Sequence, residues 1–304
     1  MSNINKTISK KYAILSSIIV ILAVILVLTI LLKNRGYSLP TLKAINSNIS
    51  EIKINRGTNE TLSIKLNEGK WILNEEYIAD SDIIESMTNA LNLIKPVEII
   101  SRGEDDKEKY KLLDEELLTV IAIDNSSKEL RNIKFGMKAT LGNNVYAQID
   151  KDKNIYLLGN LSSNPKDIFD KSEDDIINKT ISSIRNDKIN KIIVSYNNKD
   201  YTLEKSESTN WLKVWNNSTV KVDDLYSPIY TIANFKADGL IRENLDKNLA
   251  LYKIEIFTDN DFVLYEILNK NNNYEVSLSN DNNRYYINDA TFSNLKEAID
   301  NIIK

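Results

Sequence analysis

The sequence contains no cysteine and no histidine among its 304 residues. Their absence excludes disulfides, thiolate nucleophiles, thiolate or imidazole metal ligands and every catalytic triad that uses a histidine base. Glycine is scarce as well, and no two of the eight glycines are spaced as G-x-G. Neither a dinucleotide-binding fingerprint nor a P-loop can therefore be present. The sequence predicts no cofactor, no metal site and no catalytic residue.

The chain also lacks a large excess of positive or negative charge. The chain has 39 lysines and arginines against 43 aspartates and glutamates, and a formal net charge of −4. A mildly acidic chain with mixed signs is ordinary for a protein surface and is a poor match to nucleic acid, which selects basic patches. We therefore expect no nucleic-acid partner.

A long apolar run occupies residues 13–32. It carries no charged side chain, and its only polar residues are Ser16, Ser17 and Thr29. As a helix this run would extend about 30 Å, the thickness of the hydrocarbon core of a bilayer. A cleaved secretory signal has a shorter apolar core that ends at small residues, whereas this run ends in Leu-Leu-Lys-Asn-Arg. The sequence therefore predicts an uncleaved transmembrane signal anchor.

Basic residues lie on both sides of this run, with a slight excess before it that favours a cytoplasmic N-terminus. The expected location is the cell inner membrane, with a single span and a large C-terminal body outside the cytoplasm, in the periplasm. Residues 33–47 contain Gly36 and Pro40 and are expected to form a short tether.

The two halves of the chain after residue 47 resemble each other in sequence. The segment Ile49–Ile54 matches Ile189–Val194, and Trp71 matches Trp211 at the same offset along the chain. Each copy continues with an amphipathic helix, and the hairpins 144–158 and 273–287 correspond at a slightly shorter offset. Similarity that keeps strand, tryptophan, helix and hairpin in one order is the mark of an internal repeat.

This pattern predicts an α+β fold in which an N-terminal transmembrane helix is followed by two tandem, similar units, each an antiparallel sheet with helices. The predicted divisions are a basic tail at 1–12, the transmembrane helix at 13–32, the tether at 33–47, a first repeat at 48–162, a connecting helix at 163–187 and a second repeat at 188–304. The first repeat has a predicted helix from Ile83 to Ile94, capped by Asp82 with Glu85.

Four features together resemble a known family. They are an I-x-x-I-x-I strand, a tryptophan in a later strand, an Ala-Asp pair before an amphipathic helix, and a YxLL turn; here they are Ile49–Ile54, Trp71, Ala79-Asp80 and Tyr110–Leu113. The chain thus resembles the family catalogued as domain of unknown function 4340 over residues 45–304. The second copy keeps Val222-Asp223, but its turn at 248–251 is only a loose version.

The resemblance implies a bacterial, membrane-anchored protein that works beside subunits of a gliding-motility-like ABC exporter. The family offers no catalytic residues to carry over. The resemblance therefore implies a role without enzymatic activity, as an accessory or scaffold subunit.

Acidic residues are frequent, but their arrangement does not indicate catalysis. Pairs such as Asp174-Asp175 and Asp223-Asp224 are expected to cap helices, where negative charge is favoured. The segment Asp150–Asn154 begins like a calcium loop but lacks the glycine and glutamate that such a loop needs, so we expect a plain hairpin turn. A hydrolase built on carboxylates is the least favoured class.

Large aromatic residues divide into two predicted groups. Trp71 and Trp211 lie in alternating strand patterns and are expected to anchor the cores. Tyrosine and tryptophan are enriched at protein interfaces, and an exposed partner-contact surface is expected from the other aromatics: Trp215, Tyr226, Tyr230, Tyr285 and Tyr286. The leading hypothesis is a protein-binding subunit of an export system. The alternative is an envelope module that binds a glycan or another ligand.

Overall fold

The computed structural model of the protein describes the backbone of residues 2–33, 39, 41–45, 48–57, 60–113, 117–206, 210–215, 218–222, 225–242, 250–270 and 273–303. Two large antiparallel sheets carry most of these residues, and a few helices pack against the sheets.

Six α-helices lie in the described part of the chain, together with a short 3-10 turn at Asn186–Lys188. The helices are α1 (Ser2–Lys33), α2 (Ser81–Leu93), α3 (Pro165–Phe169), α4 (Glu173–Ile176), α5 (Tyr226–Ala233) and α6 (Asp289–Ile303).

The first sheet has nine strands. They are β1 (Ile49–Arg56), β2 (Glu60–Asn67), β3 (Lys70–Leu73), β4 (Tyr77–Ile78), β5 (Lys95–Ser101), β6 (Leu118–Asp124), β7 (Glu129–Lys138), β8 (Val145–Ile149) and β9 (Ile155–Gly159). Their spatial order is β4-β3-β2-β1-β6-β7-β8-β9-β5. The first strand therefore lies inside the sheet, and the strand that follows α2 closes the far edge.

The second sheet also has nine strands. They are β11 (Ile189–Tyr196), β12 (Lys199–Lys205), β13 (Trp211–Trp215), β14 (Ser218–Val222), β16 (Gly239–Ile241), β17 (Ala250–Thr258), β18 (Phe262–Lys270), β19 (Asn273–Leu278) and β20 (Arg284–Ile287). Their order is β14-β13-β12-β11-β17-β18-β19-β20-β16. This is the order of the first sheet, strand for strand. A separate two-stranded ladder joins β10 (Thr180–Ser183) to β15 (Asn234–Lys236).

Alternation of apolar and polar residues determines which face of each sheet is buried. In β1, Ile52 and Ile54 are fully buried and lie opposite Ile64 and Leu62 of β2. The polar residues between them point to the other face because successive side chains of a strand alternate. β11 repeats the burial pattern of β1 position by position. Each sheet therefore has its own apolar core.

Helix α2 packs on the first core through residues at helical spacing, namely Ile84, Met87, Ala90 and Leu91. The helix is confirmed, but its predicted cap is not. The N-cap is Asp80, whose side chain accepts a hydrogen bond from the backbone N–H of Asp82. A carboxylate at this position satisfies one of the unpaired N–H groups of the first turn.

The predicted transmembrane helix at 13–32 requires correction. The structure describes side chains of α1 for residues 15–30 only, and all of these are exposed. Among the residues that the structure describes, no helix has both the length and the apolar character needed to cross a membrane. The described fold is mostly antiparallel sheet with a few helices.

The predicted connecting helix at 163–187 is also different in the structure. The segment contains the short helices α3 and α4, then β10 and the 3-10 turn. Ile181, which falls inside the predicted helix, lies in β10 and is buried in the second core. Asn164 caps α3 and Ser172 forms a capping box with Asp175 at α4, so capping interrupts what the apolar spacing suggested was one helix.

The predicted tether at 33–47 is described only at residue 39 and at 41–45 beyond the end of α1. Leu42 and Ile45 pack against the first core. The buried guanidinium of Arg131 in β7 donates to the carbonyl of Lys43 at 2.5 Å. This part of the segment is therefore attached to the first sheet rather than standing clear of it.

The same hairpin turn occurs in both sheets. Its sequence is D-x-N-x-Y, at 152–156 between β8 and β9 and at 281–285 between β19 and β20. In the second turn, Tyr285 donates its hydroxyl to Asp281 at 2.6 Å, and the other oxygen of that carboxylate accepts the N–H of Asn283 at 2.9 Å. The first turn makes the same two bonds. Each turn thus uses a tyrosine from the following strand to hold the carboxylate that shapes it.

Candidate functional site

The two sheets are joined by the segment 176–183, which is hydrogen-bonded to both halves of the chain. At its start, Ile177 forms an antiparallel bridge with Ala79, and the N–H of Asn178 donates to the carbonyl of Ile78 at 2.8 Å. Further along, β10 pairs with β15 of the second half. We call this junction the seam. Its backbone bonds hold the start of α2 close to β15.

Side-chain contacts also connect the two halves across the seam. Leu240 packs against both apolar cores. Lys236 lies 2.9 Å from Asp80, and Arg242 lies 3.4 Å from Glu173. The seam therefore combines a shared apolar contact with two ion pairs.

A cleft of about 550 Å³ opens at the seam. We call it the seam cleft. Its wall comes from the start of α2, from β10, and from α5 with β15, and most of the lining groups are hydroxyls, amides and carboxylates. The lining residues are Asp80, Ser81, Asp82, Asn178, Thr180, Ser182, Ser183, Tyr230, Asn234, Phe235 and Lys236. The volume of this cleft lies in the range of known binding sites, but its lining is more polar than the mainly apolar lining of most small-molecule sites.

The charge of Asp80 is stabilised at the edge of this cleft. Partial burial acts to raise the pKa of its carboxyl, but the hydrogen bond from Lys236, backbone N–H bonds from Asp82 and Ile83 and the Lys236 charge outweigh it. The pKa of Asp80 is therefore below its ordinary value. Asp80 caps α2 and also forms an ion pair with Lys236 of the second half, so a single side chain connects the start of this helix to the seam.

The ion pair between Asp80 and Lys236 predicts a pH dependence of stability. Because the pKa of Asp80 is lowered in the fold, its contribution is complete above its unfolded pKa of about 3.9 and is lost as pH falls through the folded value. Lys236→Gln should cost less than about 1 kcal/mol at pH 7, since Lys236 is largely exposed. Urea unfolding at pH 7 and pH 3 should show this difference shrinking at the lower pH.

The control for this prediction is Lys236→Gln in an Asp80→Asn background, where the cost should be close to zero at both pH values. A cost that is equal at pH 7 and pH 3 in the parent chain would contradict an electrostatic contribution from the pair.

Two exposed tyrosines flank the cleft on α5. Tyr226 and Tyr230 are 69% and 53% exposed, and their rings are parallel within 10°, with centroids 6.5 Å apart. Four-residue spacing on a helix brings two side chains to the same face. Tyr230 also lines the cleft. Tyrosine is enriched among the residues that contribute most to binding energy, so these two exposed rings are candidates for contact with a partner.

The other predicted contact residues have different environments. Tyr286 is 44% exposed, and its ring covers Gly239 of β16. Tyr285 is only 4% exposed, because its hydroxyl holds the hairpin turn, so its prediction as an exposed contact is wrong. Burial raises its pKa, with the hydrogen bond to Asp281 adding to the shift. The side chain of Trp215 lies outside the described residues.

The two tryptophans predicted to anchor the cores are partly buried. Trp71 packs against the first core and Trp211 against the second. The buried aromatic residues of the interior are others: Phe135 stacks on Phe169, and Tyr265 donates to the carbonyl of Ile232 at 2.8 Å.

Several carboxylates that could suggest chemistry have structural roles. Asp174 pairs with Lys179 at 3.1 Å, and Asp175 belongs to the capping box of α4. Asp223-Asp224 lies outside the described residues. Within the described residues, no three acidic groups are close enough together to hold a metal ion.

The site was not predicted from the sequence. Its lining comes from three segments, at 80–82, 178–183 and 230–236, and no short motif marks such a meeting of distant segments. One signal was available in the Ala79-Asp80 pair, which was assigned only to the start of a helix. In the fold, Asp80 is also one half of the cross-seam ion pair.

Comparison with known proteins gives one match. A family model described as "Domain of unknown function (DUF4340)" matches residues 71–250. The match runs from the first sheet across the seam into the second, and every residue that lines the seam cleft lies within it. No curated protein and no solved structure matches the chain.

Proposed function

The chain belongs to the DUF4340 family, and we propose that it is a non-enzymatic accessory protein that binds a partner protein at the seam cleft. The observation that carries the proposal is the cleft itself, with the exposed parallel rings of Tyr226 and Tyr230 beside it. Tyrosine is enriched at protein interfaces and among the residues that contribute most of their binding energy.

The construction of the chain supports a scaffold role. We propose that the two halves are tandem copies of one unit, because their sheets have one strand order and share the D-x-N-x-Y turn. Joining two copies creates a seam that a single copy lacks. The binding site in this proposal is thus a product of the duplication.

The proposed partner is a subunit of an ABC-type, gliding-motility-like export system, and the proposed setting is a bacterial envelope, with the body outside the cytoplasm. This part of the proposal comes from the family resemblance. The alternative is a module for a cell-wall glycan, which the hydroxyl and amide groups of the cleft favour. We prefer the protein partner because of the exposed tyrosine pair.

A variant that fills the cleft tests the proposal. Ser183 is exposed and lines the cleft on β10, so Ser183→Trp places a large side chain in the recess without removing a core residue. We expect exporter subunits that co-purify with the tagged full chain in mild detergent to fall at least about tenfold with this variant, a loss of about 1.4 kcal/mol or more. Quantitative mass spectrometry measures the change.

The matched control is Ser126→Trp, at the β6–β7 turn of the first sheet, where Ser126 is exposed and away from the cleft lining. It should leave recovery unchanged. Equal recovery with both variants, or no exporter subunit with either chain, would contradict the proposed function.

A further inference from the structure

The uncharged lining of the seam cleft matches a polypeptide backbone. Thr180 and Ser183 offer hydroxyls from β10, and Asn178 and Asn234 contribute amides. Within the fold, Oδ1 of Asn178 accepts from the N–H of Thr180, and Nδ2 of Asn234 donates to backbone carbonyls. Hydroxyl and amide groups can both donate and accept, as the alternating N–H and C=O groups of an extended chain require. The two hydroxyls and the other atoms of the two amides can therefore bond to a main chain without selecting a particular side chain.

The charges around the cleft add a preference. Three basic side chains at the seam are each neutralised by a nearby carboxylate: Lys236 by Asp80, Arg242 by Glu173 and Lys179 by Asp174. Asp82 also lines the cleft and is exposed, and in the described part of the chain it makes no ion pair. After pairing, the charge left in the lining is that of a carboxylate. A cation on the ligand complements it.

The tyrosine pair points to the same ligand. The faces of Tyr226 and Tyr230 are exposed and parallel, and Tyr230 belongs to the cleft wall. The face of a tyrosine ring attracts a cation, and arginine takes this position more often than lysine because its guanidinium is planar. A carboxylate and the exposed ring of Tyr230 therefore border one recess, and the parallel ring of Tyr226 lies beside it.

We propose that the seam cleft binds an extended, arginine-containing segment of the partner, with Asp82 pairing to a guanidinium and Tyr230 supporting the apolar side of the same segment. The inference rests on the proposed function, because it names the kind of partner segment that the cleft takes. It goes further because it specifies a segment that is basic in sequence, binds in an extended conformation and forms hydrogen bonds through its backbone.

The probe is a fluorescein-labelled nine-residue peptide, three repeats of Gly-Arg-Ser, titrated with the full chain and followed by fluorescence anisotropy. A peptide with glutamate in place of each arginine is the charge control. We expect the arginine peptide to bind at least about tenfold more tightly than the glutamate peptide, and its affinity to fall as NaCl rises from about 50 to 300 mM because salt screens the charges.

Asp82→Asn tests the assigned residue. The carboxylate is not the cap acceptor of α2, since Asp82 supplies only its backbone N–H there, so the variant should keep the fold. We expect about fivefold weaker binding of the arginine peptide, the effect of an exposed pair worth about 1 kcal/mol. Glu98→Gln removes an exposed carboxylate from edge strand β5 and should leave affinity unchanged, which separates the site from general attraction to an acidic chain.

Three outcomes would overturn the inference: equal binding of both peptides, equal losses for Asp82→Asn and Glu98→Gln, or no binding of the arginine peptide. If the Ser183→Trp variant still loses exporter subunits in those cases, the proposed function stands and only the basic character is wrong. Retention of chitotetraose by the parent chain but not by Ser183→Trp would overturn both, in favour of a glycan.

Discussion

Tyr285→Phe is expected to lower the free energy of unfolding by about 2 kcal/mol, although it removes a single oxygen atom. The hydroxyl is the donor that holds Asp281 in the second D-x-N-x-Y turn, and the residue is 4% exposed. Hydrogen bonds to charged groups contribute about 1.5–3 kcal/mol, and the variant removes one of the two donors that Asp281 has in this turn. Urea unfolding followed by circular dichroism measures the change.

The adjacent residue provides the control. Tyr286 lies on the opposite face of β20 and is 44% exposed, so Tyr286→Phe should change stability by less than about 0.5 kcal/mol. Tyr156→Phe, in the first turn, should resemble Tyr285→Phe because it makes the same bond to Asp152. Equal effects of the changes at 285 and 286 would show that the Tyr285 hydroxyl contributes no more to stability than an exposed one, and would contradict the prediction.

Replacing Tyr226 and Tyr230 together by serine is expected to weaken capture of the partner about 100-fold or more. Interface tyrosines that act as anchors cost about 2 kcal/mol or more each when truncated, and about 2.7 kcal/mol is a factor of about 100. Both rings are more than half exposed, so the fold should tolerate their loss. The amount of exporter subunit that co-purifies with the double variant measures the effect.

Leu141→Ser is the matched control, because Leu141 is 84% exposed in the turn between β7 and β8 of the first sheet. It removes exposed apolar area without touching α5. A partner that is captured equally by the double variant and by this control would exclude the tyrosine pair from the interface.

Local patterns in the sequence account for the regular elements of the fold. Ile52 and Ile54 alternate with polar residues and lie in β1 as expected, and the spacing of Ile84, Met87 and Leu91 predicted helix α2. Periodicity works here because each element has one buried face and one exposed face. The resemblance between the two halves is visible in the sequence as an offset, and the two sheets have the same strand order.

The wrong predictions rested on the general preference of a residue type or on apolar composition alone. Tyr285 was assigned to the surface because tyrosine favours interfaces, but its distance from Asp281 depends on the hairpin twist, which periodicity does not encode. The apolar run at 13–32 indicated a span by composition alone, and the described residues do not support one. Ile181 fell inside the predicted connecting helix, but backbone pairing with the second half makes its segment a strand.

The seam cleft could not be predicted from the sequence, because it also depends on contacts between distant segments. Asp82, Ser183 and Tyr230 become neighbours only because the segment 176–183 is bonded to both halves. Each of these residues is ordinary in its local context, as a first-turn acid, a strand serine or a helix tyrosine. Their meeting in one cleft is visible only in the tertiary structure.

The most direct test of partner binding at the seam is site-specific photocrosslinking in cells. A photoreactive phenylalanine analogue at position 230 would sample the cleft wall, and the same analogue at position 98 on β5 would serve as the control. We expect a crosslinked product of defined mass at position 230, absent at 98, whose second polypeptide is an exporter subunit joined through an arginine-containing segment. Products that are the same at both positions, or a product at 230 that contains glycan and no second polypeptide, would contradict the account.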